Sequence, residues 1–196
     1  MITLPFPLIL ASTSPRRKHL LEQIGMTFTV QPSNVDESLI PTSGAVPEEF
    51  VQRLALLKAQ DVASKTPARS IVLGSDTIVV LDGEILGKPL DADDAKNMLR
   101  RLSGNTHTVY TGIALVDSET YSSVTAVQQT DVTFRELIDD EIAGYVATGS
   151  PLDKAGSYGI QDDFGAVFVA HIVGCYYTIV GLPLELFYRT LHTFTQ

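Results

Sequence analysis

Short apolar segments alternate along this chain with stretches bounded by residues typical of helix starts and helix ends. The first such pair is an apolar strand at 7–11, then a helix that begins at Ser14 and Pro15 and ends at Gly25. No other property of the sequence limits its fold as strongly. Because strands and helices succeed one another in this way, the sequence predicts an α/β or α+β fold.

The remaining elements follow from hydrophobic periodicity and from turn residues. The spacing predicts further strands at 27–31, 70–81, 84–86, 107–116, 121–135, 167–173 and 176–180. It predicts further helices that begin at Pro47, Asp91, Asp139 and Pro183. Asp82-Gly83 favours a tight hairpin turn, and 32–46 is predicted to be a loop.

Composition limits the class of protein. The chain has 196 residues, 44% of them hydrophobic and 19% charged, which excludes a disordered chain or a fibre. The single cysteine, Cys175, cannot form an internal disulfide, so a cytoplasmic location is expected, with Cys175 in packing rather than catalysis. Pro5 and Pro7 interrupt the apolar N-terminal run, which argues against a signal peptide, and no segment is apolar enough to predict a membrane span.

The acidic charge narrows the choice of partners. Lys and Arg together number 14 and Asp and Glu 23, so the formal net charge is −9. Such a surface repels nucleic acid in general, and we expect neither a nucleic acid nor a membrane as partner. An anionic ligand must then bind at a local group of cations and backbone N–H groups.

The segment 12–17 has the residue types of a phosphate site. Ser12 and Ser14 supply hydroxyls, Arg16 and Arg17 supply guanidinium groups, and all four lie where a strand leads into a helix N-terminus. The free N–H groups of a helix start attract anions, and nearby hydroxyls and arginines strengthen that attraction. The alternative is that Ser14 only caps the helix and the arginines are solvated.

Two further segments place carboxylates where a metal or a water could use them. Asp36 and Glu37 are adjacent in a loop and could supply a metal ligand, although such pairs are usually solvated turns. Asp76 lies in the polar segment 74–77, which is expected to interrupt the strand at 70–81. A carboxylate there is costly to bury unless it is paired or binds a metal, the alternative being that Asp76 caps a loop.

Two more segments suggest ligand contacts. Lys88 precedes Pro89 in an extended segment and could reach an anion as a point charge, although the spacing of the glycines before it does not match a phosphate-binding loop. The glycine-containing segment 153–161 ends at Gln161, whose amide suits the edge of a base; the alternative is an ordinary connection. The four histidines have no metal-ligand spacing, and each is interpreted as a surface residue or a satisfied core residue.

Taken in order, six blocks of this sequence resemble one family. They are LILASTSPRRKHLLEQIG, VDES, LGSDTIVVLDGEILGKP, LSGNTHTVYTG, DKAGSYGIQ and GCYYTIVGLPL. The order and content of these blocks are similar to those of the Maf family of nucleoside triphosphate pyrophosphatases, over roughly residues 8–190. Six blocks in the same order make a chance match very improbable.

The resemblance implies a fold and an activity. The fold would be an α/β architecture, with a long, mixed, strongly bent sheet flanked by helices and two lobes around a central cleft, in a single domain over 1–196. The protein would be a homodimer that cleaves a nucleoside triphosphate between the α- and β-phosphates. Its products would be the monophosphate and pyrophosphate, and a divalent cation (Mg²⁺, Mn²⁺ or Co²⁺) would assist.

The resemblance also implies roles for individual residues. Asp76 matches the general base and Glu37 the metal-associated acid, so both are expected metal ligands. Lys58 and Lys88 match the catalytic cations. The phosphate-binding segment of the family matches Ser12, Ser14, Arg16 and Arg17.

The branch of the family follows from three positions. Arg16, Thr77 and Gln161 match the branch that prefers dTTP and UTP, whereas the 7-methyl-GTP branch typically has Trp and Gln at the first two. The expected substrates are therefore pyrimidine triphosphates, with 5-modified uridine nucleotides as further candidates. Two alternatives stay open: a nucleotide-binding regulator of cell division or septum formation without essential turnover, and a phosphatase that removes the terminal phosphate.

Overall fold

The computed structural model describes residues 3–161 and 164–196, except for the side chain of Ser38. The strands in this part of the chain are β1 (Leu8–Leu10), β2 (Phe28–Val30), β3 (Ile71–Leu81), β4 (Glu84–Leu86), β5 (Thr106–Asp117), β6 (Ser123–Phe134) and β7 (Val169–Gly174). The helices are α1 (Pro15–Gln23), α2 (Pro47–Ala63), α3 (Ala92–Leu102), α4 (Asp139–Ala147), α5 (Tyr176–Val180) and α6 (Leu184–Phe194). Short 3₁₀ turns lie at Glu37–Leu39, Ser150–Asp153, Ala155–Ser157 and Phe164–Phe168.

The strands form one mixed sheet. Their order is β2-β1-β3-β5-β6-β7, and β4 pairs with β3. Strand β1 is parallel to both β2 and β3, with Leu8 opposite Phe28 on one side and Ile71 on the other. The pairs β3–β4 and β6–β7 are antiparallel. The predicted α/β fold with a mixed sheet is therefore confirmed.

The chain divides into two compact units. The first unit comprises 1–76, 111–128 and 181–196, and the second comprises 77–110 and 129–180. Strands β3, β5 and β6 contribute residues to both. The single domain expected over 1–196 stays a prediction.

Helix α2 packs on the sheet in the first unit with unusual closeness. Its small residues Ala55 and Ala59 are fully buried in an apolar core with strands β1, β3 and β5. A Cβ added at Gly112 would lie 2.6 Å from the carbonyl oxygen of Val51, and one added at Gly74 would overlap the carbonyl oxygen of Ala55. The two glycines therefore let the helix backbone approach β3 and β5 more closely than any side chain would permit.

The core of the second unit is aromatic at its centre. The Phe134 ring contacts the rings of His107, Tyr158 and Phe168 at centroid distances of 5.0, 4.7 and 6.0 Å. The ring of Tyr145 from α4 also contacts that of Phe168, at a centroid distance of 5.3 Å. All of these contacts except Phe134–Phe168, which is tilted, are edge-to-face, and such contacts orient the rings relative to one another as well as bury them.

Two helix caps and one hairpin turn predicted from the sequence are confirmed. The Ser14 side chain caps α1 by accepting a hydrogen bond from the Arg17 N–H, and the Asp91 side chain caps α3 in the same way. Asp82 and Gly83 both have left-handed φ values, 51° and 79°, as a tight hairpin turn between β3 and β4 requires. No helix in the described part of the chain is both long and apolar enough to cross a membrane.

Three element predictions are corrected. The predicted strand at 176–180 is helix α5, because a short, largely apolar run is compatible with either state. Gly174, with φ 133°, ends strand β7 two residues before the helix begins. The strand predicted at 167–173 begins at Val169, after a 3₁₀ turn. The expected interruption at 74–77 is absent, since β3 is continuous through it.

Candidate active site

The turn between β1 and α1 is held by a hydrogen-bond network. The Ser12 hydroxyl accepts from the Ser14 N–H and from Arg17 Nη1, each at 3.1 Å. Arg17 Nε donates to the carbonyl oxygen of Gly181 at 2.8 Å, and the buried Ser75 hydroxyl donates to the same oxygen at 3.0 Å. The hydroxyls and guanidinium of the turn are thus preorganised against strand β3.

This network argues against the interpretation that Ser14 only caps the helix while the arginines are solvated. Ser14 does cap the helix, but Arg17 is half-buried and fixed by two hydrogen bonds, so it is not a solvated arginine. Burial lowers the pKa of Arg17, although a guanidinium stays charged at neutral pH. Arg16 is also half-buried. The turn therefore presents a fixed cation at a helix N-terminus.

A buried ion-pair cluster lies beside this turn. Lys58 Nζ from α2 is 2.5 Å from Asp76 Oδ1 on β3 and 2.7 Å from Glu37 Oε1 in the 3₁₀ turn. Asp76 is 5% exposed and Lys58 is 8% exposed, whereas the Glu37 side chain is 45% exposed. One ammonium group is thus shared by two carboxylates, one buried and one open to solvent. Asp76 lies inside a continuous strand, so it does not cap a loop.

The close packing of α2 explains how the cluster forms. Gly74 precedes Asp76 by two residues on β3, and the Cβ that it lacks would meet Ala55 and Ala59 on α2. Lys58 lies between those two alanines in the sequence. The close approach of the helix backbone to the strand thus brings the Lys58 side chain within reach of Asp76.

A second contact fixes the loop that carries Glu37. The Asp61 carboxylate, three residues after Lys58 on α2, accepts hydrogen bonds from the Asn34 N–H at 2.8 Å and from the Ser33 hydroxyl at 3.2 Å. The bonds from Lys65 and from the Asn34 N–H lower the pKa of Asp61. The loop is thus attached to the helix that supplies Lys58, a role that sequence reasoning did not assign to Asp61.

Electrostatics in the cluster are set by burial. Removal from water raises the pKa of Asp76, while the charges of Lys58 and Arg17 lower it and that of Glu37 raises it further. A raised pKa makes a buried carboxylate a stronger base than an exposed one, which suits a group that takes a proton from water.

The Asp76 and Glu37 carboxylates are suitable ligands for a divalent cation, although the described residues do not supply a full set of protein ligands. The described residues contain no group of three or more His, Cys, Asp or Glu side chains arranged to hold a metal. Asp76 and Glu37 both lie within hydrogen-bond reach of one nitrogen, so two carboxylates are close together. Mg²⁺ is commonly held by one or two carboxylates, with substrate phosphates and water completing its ligands.

The remaining predicted site residues belong to the second unit. Thr77 follows Asp76 directly on β3 and is half-buried, as is Gln161, whereas Lys88 is exposed. The segments that carry Lys88 and Gln161 are joined, because the Gly156 N–H donates to the carbonyl oxygen of Gly87 at 3.0 Å. Seven of the ten predicted site residues therefore lie in the first unit, and the other three lie in the second.

Sequence reasoning missed several residues that support these groups. Buried Ser75 binds the same carbonyl as Arg17. Buried Lys154 binds Ser150 and Asp153, at the start of the segment that ends at Gln161. Ser75 and Lys154 lie inside two of the six quoted blocks, and that was the available signal.

Comparison with known proteins identifies the family. The family model described as "Maf-like protein" matches residues 7–194. The chain is 54% identical to a dTTP/UTP pyrophosphatase of Bacillus cytotoxicus over 95% of this chain and 94% of the relative. It is 50% identical to a protein of the same name from Salinibacter ruber over 97% of this chain and 92% of the relative.

Solved structures give a weaker likeness. A dITP/XTP pyrophosphatase from Mycobacterium abscessus matches with a TM-score of 0.41 and 17% identity, over 67% of this chain and 75% of that one. A HAM1 protein from Coxiella burnetii matches with a TM-score of 0.45 and 16% identity, over 66% and 73% of the two chains. Since the family model spans nearly the whole chain and relatives are half identical over almost all of it, this protein belongs to the Maf family.

Proposed function

We propose that this protein is a nucleoside triphosphate pyrophosphatase that cleaves dTTP and UTP between the α- and β-phosphates, releasing the monophosphate and pyrophosphate. The observation that carries this proposal is the buried Asp76–Lys58–Glu37 cluster beside the cationic turn at α1. The names of relatives at about half identity support the substrate class.

Phosphate binding is assigned to the turn at 12–17. The N–H groups at the start of α1, the Ser12 and Ser14 hydroxyls and the two arginines offer donors and positive charge to phosphate oxygens. Because the Arg17 guanidinium is already fixed, little side-chain entropy is lost when it binds a phosphate.

The hydrolytic step is assigned to Asp76. Its carboxylate accepts a proton from water as the water oxygen attacks the α-phosphorus. The bond from that phosphorus to the α–β bridging oxygen breaks, and the oxygen leaves with the electron pair as part of pyrophosphate. Lys58 holds the carboxylate in place and, with Lys88, offsets the negative charge of the pyrophosphate. Most of the rate acceleration would come from positioning and from these fixed charges.

A divalent cation completes the proposal. Asp76 and Glu37 would hold Mg²⁺, Mn²⁺ or Co²⁺ together with the substrate phosphates. When bound, the ion supplies charge neutralisation at the phosphoryl oxygens and a more acidic water.

Base preference is assigned to Arg16, Thr77 and Gln161. The Gln161 amide has both a donor and an acceptor, which complements the alternating groups on a uracil or thymine edge. Modification at position 5 of the ring leaves that edge unchanged, so 5-modified uridine triphosphates are included as substrates.

The proposal extends to location and assembly. The one cysteine, Cys175, is a free thiol, which fits a reducing cytoplasm. The family resemblance favours a homodimer, which light scattering on a sizing column would test. The net charge of −9 argues against nucleic acid as a partner.

The test is product analysis with a matched variant. The protein is incubated with each of the common triphosphates and a divalent cation, and pyrophosphate and orthophosphate are measured separately. We expect pyrophosphate from dTTP and UTP, and in Asp76→Asn a fall in kcat of about 100-fold or more, since the base is lost. Asp93→Asn, on an exposed first-turn carboxylate of α3, should keep near-normal turnover.

Three outcomes would contradict the proposal. Orthophosphate as the first product would indicate a terminal phosphatase. Calorimetric binding of a nucleotide with no pyrophosphate over hours would indicate the regulatory alternative. Near-normal turnover in a folded Asp76→Asn variant would show that Asp76 is not the general base.

A further inference from the structure

The segment that carries Gln161 is anchored inside the second unit by a buried polar contact. Nε2 of His107 on β5 lies 2.8 Å from the hydroxyl of Tyr158, and a hydrogen bond joins them. His107 is 1% exposed and Tyr158 is 5% exposed. Because Gln161 follows Tyr158 by three residues, the bond acts close to the side chain proposed to contact the base.

The surroundings of His107 show what the imidazole contributes. Its ring packs edge-on against Phe134 at 5.0 Å and Tyr158 at 5.3 Å, and its Nδ1 has no hydrogen-bond partner among the described residues. Burying an unpaired polar atom is unfavourable, and a phenyl ring would fill the same space without that cost. What the imidazole adds over an apolar ring is therefore the bond to Tyr158.

The other part of the segment is held as firmly. Gly156 has a φ of +68° and leaves no room for a Cβ, which would lie 2.9 Å from the Val79 side chain. Its N–H donates to the carbonyl of Gly87, the residue before Lys88. The Gly159 N–H donates to the Tyr145 hydroxyl at 3.3 Å. The segment is thus attached on both sides of Tyr158, and its start is attached beside Lys88.

We propose that His107 is a positioning residue for base discrimination: through its hydrogen bond to Tyr158 it fixes the segment that presents Gln161, without touching the nucleotide. This role rests on the proposed function, because it needs Gln161 to contact the base. The four histidines of the sequence were expected to be surface or satisfied core residues, and His107 departs from that expectation through its unpaired Nδ1.

The first test measures base selectivity in the full-length protein. In His107→Phe and in Tyr158→Phe we expect the ratio of kcat/KM for UTP to kcat/KM for CTP to fall about tenfold, the effect of one hydrogen bond of about 1.4 kcal/mol. The change should come from KM for UTP, with kcat within about twofold of the wild-type value. The double variant should lose no more selectivity than either single variant, because both changes remove the same bond.

A matched variant separates positioning from general loss of stability. Ile142→Val makes a small cavity in the same core, on α4, and should keep the wild-type selectivity. His107→Gln, whose amide nitrogen can take the place of Nε2, should restore most of the selectivity lost in His107→Phe. If the phenylalanine variants fold and keep the selectivity ratio within twofold of wild type, the positioning role is wrong.

The second test needs no substrate. Amide hydrogen exchange of the peptide covering 155–161 should be faster in His107→Phe and Tyr158→Phe than in wild type, and unchanged in Ile142→Val. Unchanged exchange in all three would overturn the anchor itself. If wild type releases no pyrophosphate, the proposed function fails while the exchange data still decide whether the anchor exists.

Discussion

The two units each bury a polar contact near a proposed functional residue, but the two contacts differ in charge. In the first unit Lys58 and Asp76 are both ionisable and almost fully buried, with Nζ and Oδ1 2.5 Å apart. In the second unit His107 and Tyr158 form a bond in which burial lowers the pKa of the imidazole and raises the pKa of the phenol, so both are neutral at pH 7. The first contact can take part in charge and proton transfer, whereas the second can only fix geometry.

A third contact shows that burial, rather than distance, decides how much an ion pair contributes to stability. Lys65 Nζ, in the turn just after α2, also lies 2.5 Å from Oδ1 of Asp61 on α2, but the two side chains are 46% and 22% exposed. An exposed pair is screened by water and contributes between zero and about 1 kcal/mol. A buried pair is costly to form and still more costly to break, because the remaining charge has no partner.

The largest expected effect comes from breaking the buried pair. Lys58→Met should lower the free energy of unfolding by about 3–5 kcal/mol, since Asp76 would stay buried without its lysine, and should also reduce pyrophosphate release. Lys65→Met is the matched control and should cost at most about 1 kcal/mol. Denaturant unfolding of both variants measures the contrast, and equal losses would show that burial does not separate the two pairs.

The next effect concerns pH and the neutral contact. Burial lowers the pKa of His107 from 6.5 to about 4, against the weaker attraction of Asp131. Between those two pH values the unfolded chain binds a proton that the folded chain excludes, so the free energy of unfolding falls as the pH drops from about 6.5 to about 4. At about 1.4 kcal/mol per pH unit, His107 accounts for about 3 kcal/mol of that fall.

Unfolding by urea across this pH range would measure the effect. The His107→Phe variant should lack the His107 contribution, and its free energy of unfolding should change less between the two pH values than that of wild type. An identical pH dependence in both proteins would show that His107 is not held neutral by the fold.

The smallest effect tests the close approach of α2 to the sheet. Gly74→Ala would place a methyl group against Ala55 and Ala59, and we expect a loss of about 1–3 kcal/mol together with a displaced Lys58. Gly144→Ala, on helix α4 with open space around it, should instead stabilise by about 0.5–1 kcal/mol. Thermal unfolding and turnover of both variants measure these effects. Full activity in Gly74→Ala would show that the ion-pair cluster does not depend on the close packing of α2 against β3.

Helix boundaries were largely readable from the sequence, because they depend on contacts between near neighbours. Ser14 and Asp91 cap their helices through N–H groups two or three residues away. The turn at Asp82-Gly83 likewise needs only residues tolerant of positive φ. The segment 176–180 was misassigned because its short apolar run has no period that separates strand from helix.

The residue types at the candidate site, and the order of the blocks that carry them, were present in the primary chain, since chemistry and family likeness belong to residues in sequence. The fold alone settled that Glu37 and Asp76 share one ammonium group and that His107 meets Tyr158. Lys58 and Asp76 are 18 residues apart in the sequence, and His107 and Tyr158 are 51 residues apart. Contacts at such separations depend on how helices and strands pack, and in the first unit on two glycines that let α2 lie against β3 and β5.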